Sequence, residues 1–471
     1  MEGLEVSETK KSELERTIRI DSEFYSKENL KVVEILTKHK PFDITKLAKV
    51  SDGNHMSIKE FFSSDGVPYY RGGDIYNFFI EQTPNPLKIP KSVYNWKNIQ
   101  RSHLKKGDVL VSIVGAIIGN LSLVTTNQEA TCSCKLAILR PNKITSELLA
   151  IFLKCEFGQS QIQKFRRGTG QTGLILEDFD QILVPSFGIK FALKIEELVI
   201  DSFGKIEDSL MKYAQAETIL LETVGLKDFK PTKEPTNIKS FKNSFLATGR
   251  LDAEYYQKKY EAYLNLIKLY QNGYEPLSVA CNLKDKNHTL KETQKYKYIE
   301  LSNIGNSGEV TGCSYASGAE LPSRAKRLVN KNDVIISSIE GSLQSCAYIN
   351  NEYDNTICST GFYVINSKKI NSETLLVLFK SELMQNILKQ NCSGTILTAI
   401  NKDEFLKIPI PIIEVEYQEQ IAGLVQESFR LKAESERLLE VAKQAVEMAI
   451  EEGEEKAVKY LHNFEINKDE L

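Results

Sequence analysis

Apolar and polar positions along this chain form long helical stripes and short runs, and the whole pattern occurs twice. Between residues 190 and 224, Val199, Phe203, Ile206, Leu210, Tyr213, Leu220 and Val224 lie on one line, with Glu217 its polar member. Steps of three and four put one apolar stripe on a long helix and suit packing against a partner helix. From Ile421 the pattern returns less regularly: Leu424, Leu431, Leu438, Ala445 and Ala449 carry the stripe, while Lys432 and Glu436 interrupt it. Ile195, Leu198, Val199, Phe203 and Ala216 recur as Ile421, Leu424, Val425, Phe429 and Ala442, at a constant displacement of 226. A helix of about 30–35 residues is a rod of roughly 50 Å. An amphipathic helix buried in a globular core would show the same stripe. The duplication favours a pair of long antiparallel helices joining two lobes.

The second part of the pattern is a set of short runs bounded by turn residues. Ile44 to Val50, Val67 to Gly73, Val109 to Val114, Leu121 to Thr125 and Lys135 to Arg140 read as short strands separated by Gly, Asn, Asp and Pro. Their counterparts run from Tyr298 to Leu301, Val334 to Ile339, Ser345 to Ile349 and Phe362 to Ile365. Ahead of each set, Arg19, Asp21, Glu23 and Tyr25 are echoed by Arg250, Asp252, Glu254 and Tyr256, displaced by 231. Each Asp is expected to cap a helix, the two helices ending near Thr37 and Tyr270. Lys106 to Ser112 is echoed by Lys331 to Ser337, displaced by 225. A helix predicted from about Thr145 to Phe165 is echoed from Ser372 to Gln390, with Lys154, Glu156 and Gln159 matching Lys380, Glu382 and Gln385. A glycine turn follows each helix, Gly168-Thr169 matching Gly394-Thr395, and Phe179, Ile182 and Pro185 then match Phe405, Ile408 and Pro411. Equal scaffolds with different surfaces would read two different things.

Composition narrows the classes. A chain of 471 residues allows about three domains. It has no run of 18 apolar residues, so no membrane span is expected. The start has no apolar signal-peptide core, and the closing Lys468-Asp469-Glu470-Leu471 reads as an accidental match to a retention address. The net charge of −3 is unevenly spread: residues 414–471 carry −8 and the remainder +5. Eight scattered cysteines do not form a disulfide framework, and Cys132-Ser-Cys134 lacks a second pair at zinc spacing.

Basic residues beside aromatics suit contact with phosphate and packing against bases or sugars. Lys88, Lys91, Lys97, Arg101, Lys105 and Lys106 occur without an acid and with Tyr94 and Trp96 interleaved; Arg324, Lys326, Arg327 and Lys331 precede the matching strand of the second lobe. A solvated loop would look alike, but recurrence before the same strand favours binding. Arg166 and Arg167 lie in the glycine turn with Thr169, Gln171 and Thr172. Arg reads guanine and Gln reads adenine in a major groove, and glycine permits close approach. A helix C-terminal turn with incidental arginines is the plainer alternative. The candidate DNA-binding set is Arg71, Lys97, Arg101, Lys105, Arg166, Arg167, Thr169, Gln171, Arg324, Lys326, Arg327 and Thr395. No base-methylation tetrapeptide, Gly-x-Gly-x-x-Gly, His-Glu-x-x-His or Gly-x-Ser-x-Gly is present. The chain reads as a reader rather than a catalyst, with no metal or cofactor site of its own.

Arg250 to Gln257, Pro322 to Leu328 running into Asp333 to Ser337, and Gly394-Thr395 running into Ile408 to Pro411 and the long helix carry a resemblance over about residues 18–460. The chain resembles the specificity (S) subunit, HsdS, of type I restriction-modification systems. Asn332 departs from it, standing where the first lobe has Gly107, and the acidic second helix and tail depart as well. The resemblance implies an α+β fold: two similar mixed α/β target recognition domains joined by two long antiparallel coiled-coil helices, an internal repeat with pseudo-two-fold symmetry. The expected division is a polar tail (1–17), a first target recognition domain (18–188), spacer helix 1 (189–226), a linker (227–248), a second target recognition domain (249–413), spacer helix 2 (414–460) and a C-terminal tail (461–471). It implies a non-catalytic, cytoplasmic subunit. Each domain would read half of a bipartite, asymmetric target on double-stranded DNA, and the helices would dock two methyltransferase (M) subunits. S-adenosylmethionine is expected on those partners, and ATP with Mg on two restriction (R) subunits. Two other readings stay open from the residues alone: a DNA methyltransferase or nuclease with unrecognised motifs, and a coiled-coil scaffold that binds no DNA.

Overall fold

A computed structural model describes residues 7–10, 19–168, 172–227, 229–394 and 398–466. The fold class is α+β, and the chain divides into two compact units. The first holds residues 1–205 and 433–471, the second residues 206–432. Each contains half of both long helices, which are Ile189–Thr223 and Val415–Glu451. Among the described residues no helix is long and apolar enough to cross a membrane.

In the first unit, one antiparallel sheet takes its strands in the order Ala48–Asp52, Leu136–Pro141, Val109–Ser112, Leu121–Leu123. A second sheet places Val67–Tyr70 between an antiparallel Leu87–Ile89 and a parallel Thr131–Cys132. The second unit repeats both arrangements. Its first sheet runs Asn282–Leu283, Phe362–Asn366, Val334–Ser337, Cys346–Tyr348. Its second runs Ser314–Ser317, Lys295–Ile299, Thr356–Ser359, again with one parallel pair, and adds a fourth strand, Ala325–Val329. Where the second unit has that strand, the first has short helical turns at Lys91–Tyr94 and Gln100–Ser102.

The turn into the central strand shows how two sequences make one backbone. Gly107 has φ +89° and Asn332 φ +69°. Both are left-handed, a conformation Asn tolerates better than other side chains with a Cβ, which explains the substitution. The next residue is a buried acid in each unit. Asp108 accepts from the Lys105 N–H at 2.8 Å and from Arg140 through two bonds of 2.7 Å. Asp333 accepts from the Asn330 N–H at 2.7 Å, from Asn366 at 2.8 Å and from Lys284 at 2.6 Å. Asn366 stands 226 residues after Arg140. Where the arginine is lost, a lysine from an edge strand's end supplies the charge a buried carboxylate requires.

Several expected elements are placed differently. The helix expected from Thr145 is two, Ser146–Lys154 and Glu156–Lys164, broken where Cys155 turns extended. The second unit breaks at Ser381, between Ser372–Lys380 and Glu382–Asn391, and Ser381 caps the new helix. The repeated glutamine spans each break: Gln159 Nε2 donates to Leu153 and Gly119, and Gln385 Nε2 to Phe379 and Leu343, at 2.7 and 3.0 Å in both units. Ile44 to Leu47 is a helical turn before the strand rather than part of it. Asp21 and Asp252 do not cap helices. Those helices begin later, at Lys27 and Lys258, with Ser26 and Gln257 as caps. Each aspartate instead grips its arginine: Arg19 at 2.8 and 2.9 Å, Arg250 at 2.8 and 2.6 Å. The arginine hydrogen bond holds both carboxyls below their ordinary range.

The helix seam also differs from expectation. Leu210 is 44% exposed, and Phe203 turns aside to meet Phe79 edge to face. Ser202 and Ser209 occupy the seam, giving a strict alternation Val199, Ser202, Ile206, Ser209, Tyr213, Ala216, Leu220, all buried. In the first unit Ser202 Oγ meets Ser435 Oγ at 2.8 Å and donates to the Ser435 carbonyl at 3.0 Å, and Lys205 pairs with Glu434 at 3.1 Å. Rising numbers on one helix meet falling numbers on the other, so the pair is antiparallel. In the second unit Ser209 Oγ meets Ser428 Oγ at 3.0 Å, and each hydroxyl reaches the other's carbonyl at 2.7 and 2.8 Å. The core of that unit joins this seam, through Tyr213, Leu220 and Val425, to Leu375, Phe379 and Phe405.

Arg140→Ala strands the Asp108 carboxylate, which is fully buried. The expected loss is about 3 kcal/mol, read as a lower urea midpoint. Arg140→Ala with Asp108→Asn is expected to recover part of it.

Candidate nucleic-acid interface

The surface of interest is built where loops leave the two sheets. In both units the glycine turn after the paired helices is stitched to the loop after the central strand. Gly115 N–H donates to Thr172 at 2.9 Å, Leu174 N–H to Ile113 at 2.9 Å, and Arg167 and Gly173 exchange bonds of 3.1 and 2.9 Å. In the second unit Glu340 N–H donates to Thr398 at 3.0 Å and Ile400 N–H to Ser338 at 2.8 Å. Gly168 and Gly394 have φ +102° and +127°. A Cβ is strained there, so glycine recurs while its neighbours diverge. The repeated arginine anchors the same turn from the other side: Arg19 donates to the Arg166 carbonyl at 3.1 Å, and Arg250 to the Cys392 carbonyl at 2.9 Å.

Within the first unit this turn adjoins a cleft of about 1,020 Å³. Residues 54–59, 71–73, 114–117 and 133–135 line it, and Arg71, Lys59, Lys135 and His55 bring its basic groups. Arg71 is half exposed and held by Asp74 at 3.2 Å. His55 meets Asp52 at 2.5 Å, and the same carboxylate pairs with Arg101. Arg166 is exposed on the adjoining turn, within 3.1 Å of Gln163 and 3.4 Å of Thr172. Of the three arginines, Arg71 lines the cleft, Arg101 is tied to Asp52 just before the lining segment 54–59, and Arg166 lies on the turn bonded to the lining residue Gly115. Lys97 and Lys105 are exposed elsewhere on this unit, Lys97 beyond the short helix and Lys105 at the turn into the central strand. Thr169, Gln171 and Thr395 lie outside the described residues.

Arg167 has a different setting. Its guanidinium pairs with Asp178, whose side chain is fully buried and also accepts from the Ile175 N–H at 2.9 Å. Burial pushes the Asp178 carboxyl up, and the N–H bond and the Arg167 charge oppose that. In the second unit Arg324 is exposed beside the extra strand, and Lys326 and Arg327 lie on it. The register shifts between Ala325 and Arg327, a bulge that interrupts the regular alternation of the strand. Lys326 is exposed; Arg327 is half buried, with an Nη1 that has no hydrogen-bond partner. Burial pushes the Cys132 thiol up, and no cluster of three potential metal ligands occurs among the described residues.

The basic run from Lys88 to Lys106 carries no acid in sequence, yet two of its cations are paired with carboxylates from distant segments: Lys91 with Glu129 and Arg101 with Asp52. Lys59, Lys135 and His55 went unmarked because each is isolated in sequence. Folding alone brings them to the cleft.

Residues 277–441 match the family model described as "Type I restriction modification DNA specificity domain". The chain is similar to a putative type I restriction enzyme MjaX specificity subunit from Methanocaldococcus jannaschii, 22% identical over 439 residues, 90% of this chain and 96% of that one. Among solved structures it is similar to the type I restriction-modification S subunit from M. genitalium, at 15% identity and TM-score 0.41, covering 87% of this chain and 95% of that one. It is also similar to the HsdS subunit from Thermoanaerobacter tengcongensis, at 13% identity and TM-score 0.29, covering 88% and 96%.

The two neighbouring arginines are expected to separate by phenotype. Arg167→Ala leaves Asp178 buried and unpaired and lowers stability by about 3 kcal/mol. Arg166→Ala changes stability by less than about 0.5 kcal/mol. Thermal melts of the two variants check this.

Proposed function

We infer, from the type I restriction modification DNA specificity domain formed by residues 277–441, that this chain is the DNA-reading subunit of a type I restriction-modification complex. Each unit reads one half of a bipartite, asymmetric target on double-stranded DNA. The chain is non-catalytic and cytoplasmic. Two methyltransferase subunits dock on the framework of long helices and bring S-adenosylmethionine. Two restriction subunits complete the assembly and use ATP with Mg. The carrying observation is one strand order in two units with unlike reading surfaces. The first presents a cleft lined by Arg71, with exposed Arg101 and Arg166 on neighbouring segments. The second presents an added strand with Lys326 and Arg327, and exposed Arg324 beside it. A shared scaffold with different charged loops reads different sequences, since phosphate contacts set position and base contacts set specificity. The internal repeat also gives two related faces for two identical partners.

Co-expression with the cognate methyltransferase, followed by mapping of methylated bases, tests the reading directly. One bipartite motif that disappears without this chain is expected, and methylation unchanged in its absence would refute it. Replacing residues 40–185 with the matching part of a relative is expected to change one half-site and leave the other intact. The double variant Arg71→Ala, Arg166→Ala is expected to weaken specific DNA binding by the assembled methyltransferase about tenfold or more. If both arginines contact phosphate, the salt slope falls by about two. Equal affinity at physiological salt would remove these two residues from the interface.

A further inference from the structure

Each long helix begins beside a short segment that leads into the paired helices. The two units finish this junction differently. In the second, Gln418 is 5% exposed and its side chain fills the junction. Its Oε1 accepts from the Asn371 N–H at 2.7 Å, and its Nε2 donates to the Lys369 and Ile413 carbonyls at 2.9 and 2.8 Å. Ile370 and Ile413, beneath it, are each 1% exposed.

The residue 226 positions earlier is Ala192, which has no amide. Around it the first unit has an open groove of about 370 Å³. Phe42, Leu47, Leu148 and Phe187 form apolar walls. Ile144 and Phe187, the counterparts of Ile370 and Ile413, are half-buried rather than covered. The three backbone groups that match those bound by Gln418 are the Thr145 N–H and the Lys143 and Phe187 carbonyls. None of the three has a protein hydrogen bond among the described residues. The site is a mould for a primary carboxamide on an apolar stem, with the repeat showing how such a group sits.

We propose that this groove receives a glutamine or asparagine side chain from the methyltransferase subunit, which completes in trans what Gln418 completes in cis. The partner's identity rests on the functional reading above; the amide chemistry rests on the repeat alone. An incoming carboxamide would satisfy one donor and two acceptors at once, and its stem would cover Ile144 and Phe187. Each bond to a group otherwise left to solvent adds modestly, and the apolar cover adds more. In the second unit Gln418 fills the matching position, so the two partner contacts on this chain are unequal.

Ala192→Gln supplies the amide internally and Ala192→Met blocks the groove without one. Ala192→Gln is expected to raise the melting temperature of the free chain by about 2–4 °C, and Ala192→Met to raise it less. Both are expected to weaken binding of the purified methyltransferase subunit about tenfold or more. No stabilisation by Ala192→Gln in a folded chain would overturn the amide assignment. Unchanged partner affinity in both variants would overturn the docking assignment. Self-association of the chain alone that Ala192→Gln abolishes would give the groove to a second copy and overturn the methyltransferase as its occupant. A wild-type chain that binds no methyltransferase would instead refute the functional reading, and this partner with it.

Discussion

The architecture depends on buried serine hydroxyls in the seam of the long helices. A hydroxyl removed from water needs a partner, and leaving it without one costs about 1–3 kcal/mol. Ser202 and Ser435 satisfy each other in the first unit, Ser209 and Ser428 in the second. Under the 226-residue displacement Ser202 corresponds to Ser428 and Ser209 to Ser435. Each pair therefore joins one serine to the counterpart of the other pair's member. That exchange is what a duplicated helix yields when it packs antiparallel on its own copy. Sliding either helix by one turn would leave hydroxyls facing apolar side chains. Aliphatic residues at these positions would pack in several registers; serines fix one.

The constraint also explains what the sequence conveyed and what it hid. Both long helices, the repeat and most strands were legible because apolar periodicity is written in consecutive residues. Val199, Ile206, Tyr213 and Leu220 were legible in the seam, and two of its positions were not. Phe203 and Leu210 look like seam residues on hydrophobicity, whereas Ser202 and Ser209 hold the seam through hydrogen bonding. Asp21 and Asp252 were misjudged similarly: an Asp before a helix reads as its cap, and nothing local reveals an arginine whose guanidinium also reaches a carbonyl more than 140 residues away. The breaks at Cys155 and Ser381 interrupt the helix for one extended residue without interrupting the apolar pattern.

The candidate interface was less legible than the fold. Basic residues can be counted in a sequence, but their availability depends on carboxylates brought by other segments. Arg166 and Arg167 are neighbours with the same side chain, and one is exposed while the other neutralises a buried aspartate. A cleft made by four separate loops has no signature in any one of them. The extra strand carrying Lys326 and Arg327 was invisible as well, since its counterpart in the first unit consists of helical turns.

Comparison of the two units separates what the scaffold demands from what it leaves free. Positions fixed by backbone chemistry recur or are replaced by a residue with the same capacity: Gly107 by Asn332 at a left-handed turn, Arg140 by Asn366 with Lys284 beside a buried acid, Gln159 by Gln385 across a helix break. Loops facing solvent diverge in length and charge without disturbing the sheets. Ala192 and Gln418 fit neither class. Their position is structurally defined, its backbone groups are equivalent in the two units, and only one unit supplies the side chain that satisfies them. Such a position differs from ordinary surface divergence, because the sister copy fills with its own side chain a place that the first leaves open. The asymmetry therefore lies on the framework as well as on the charged loops.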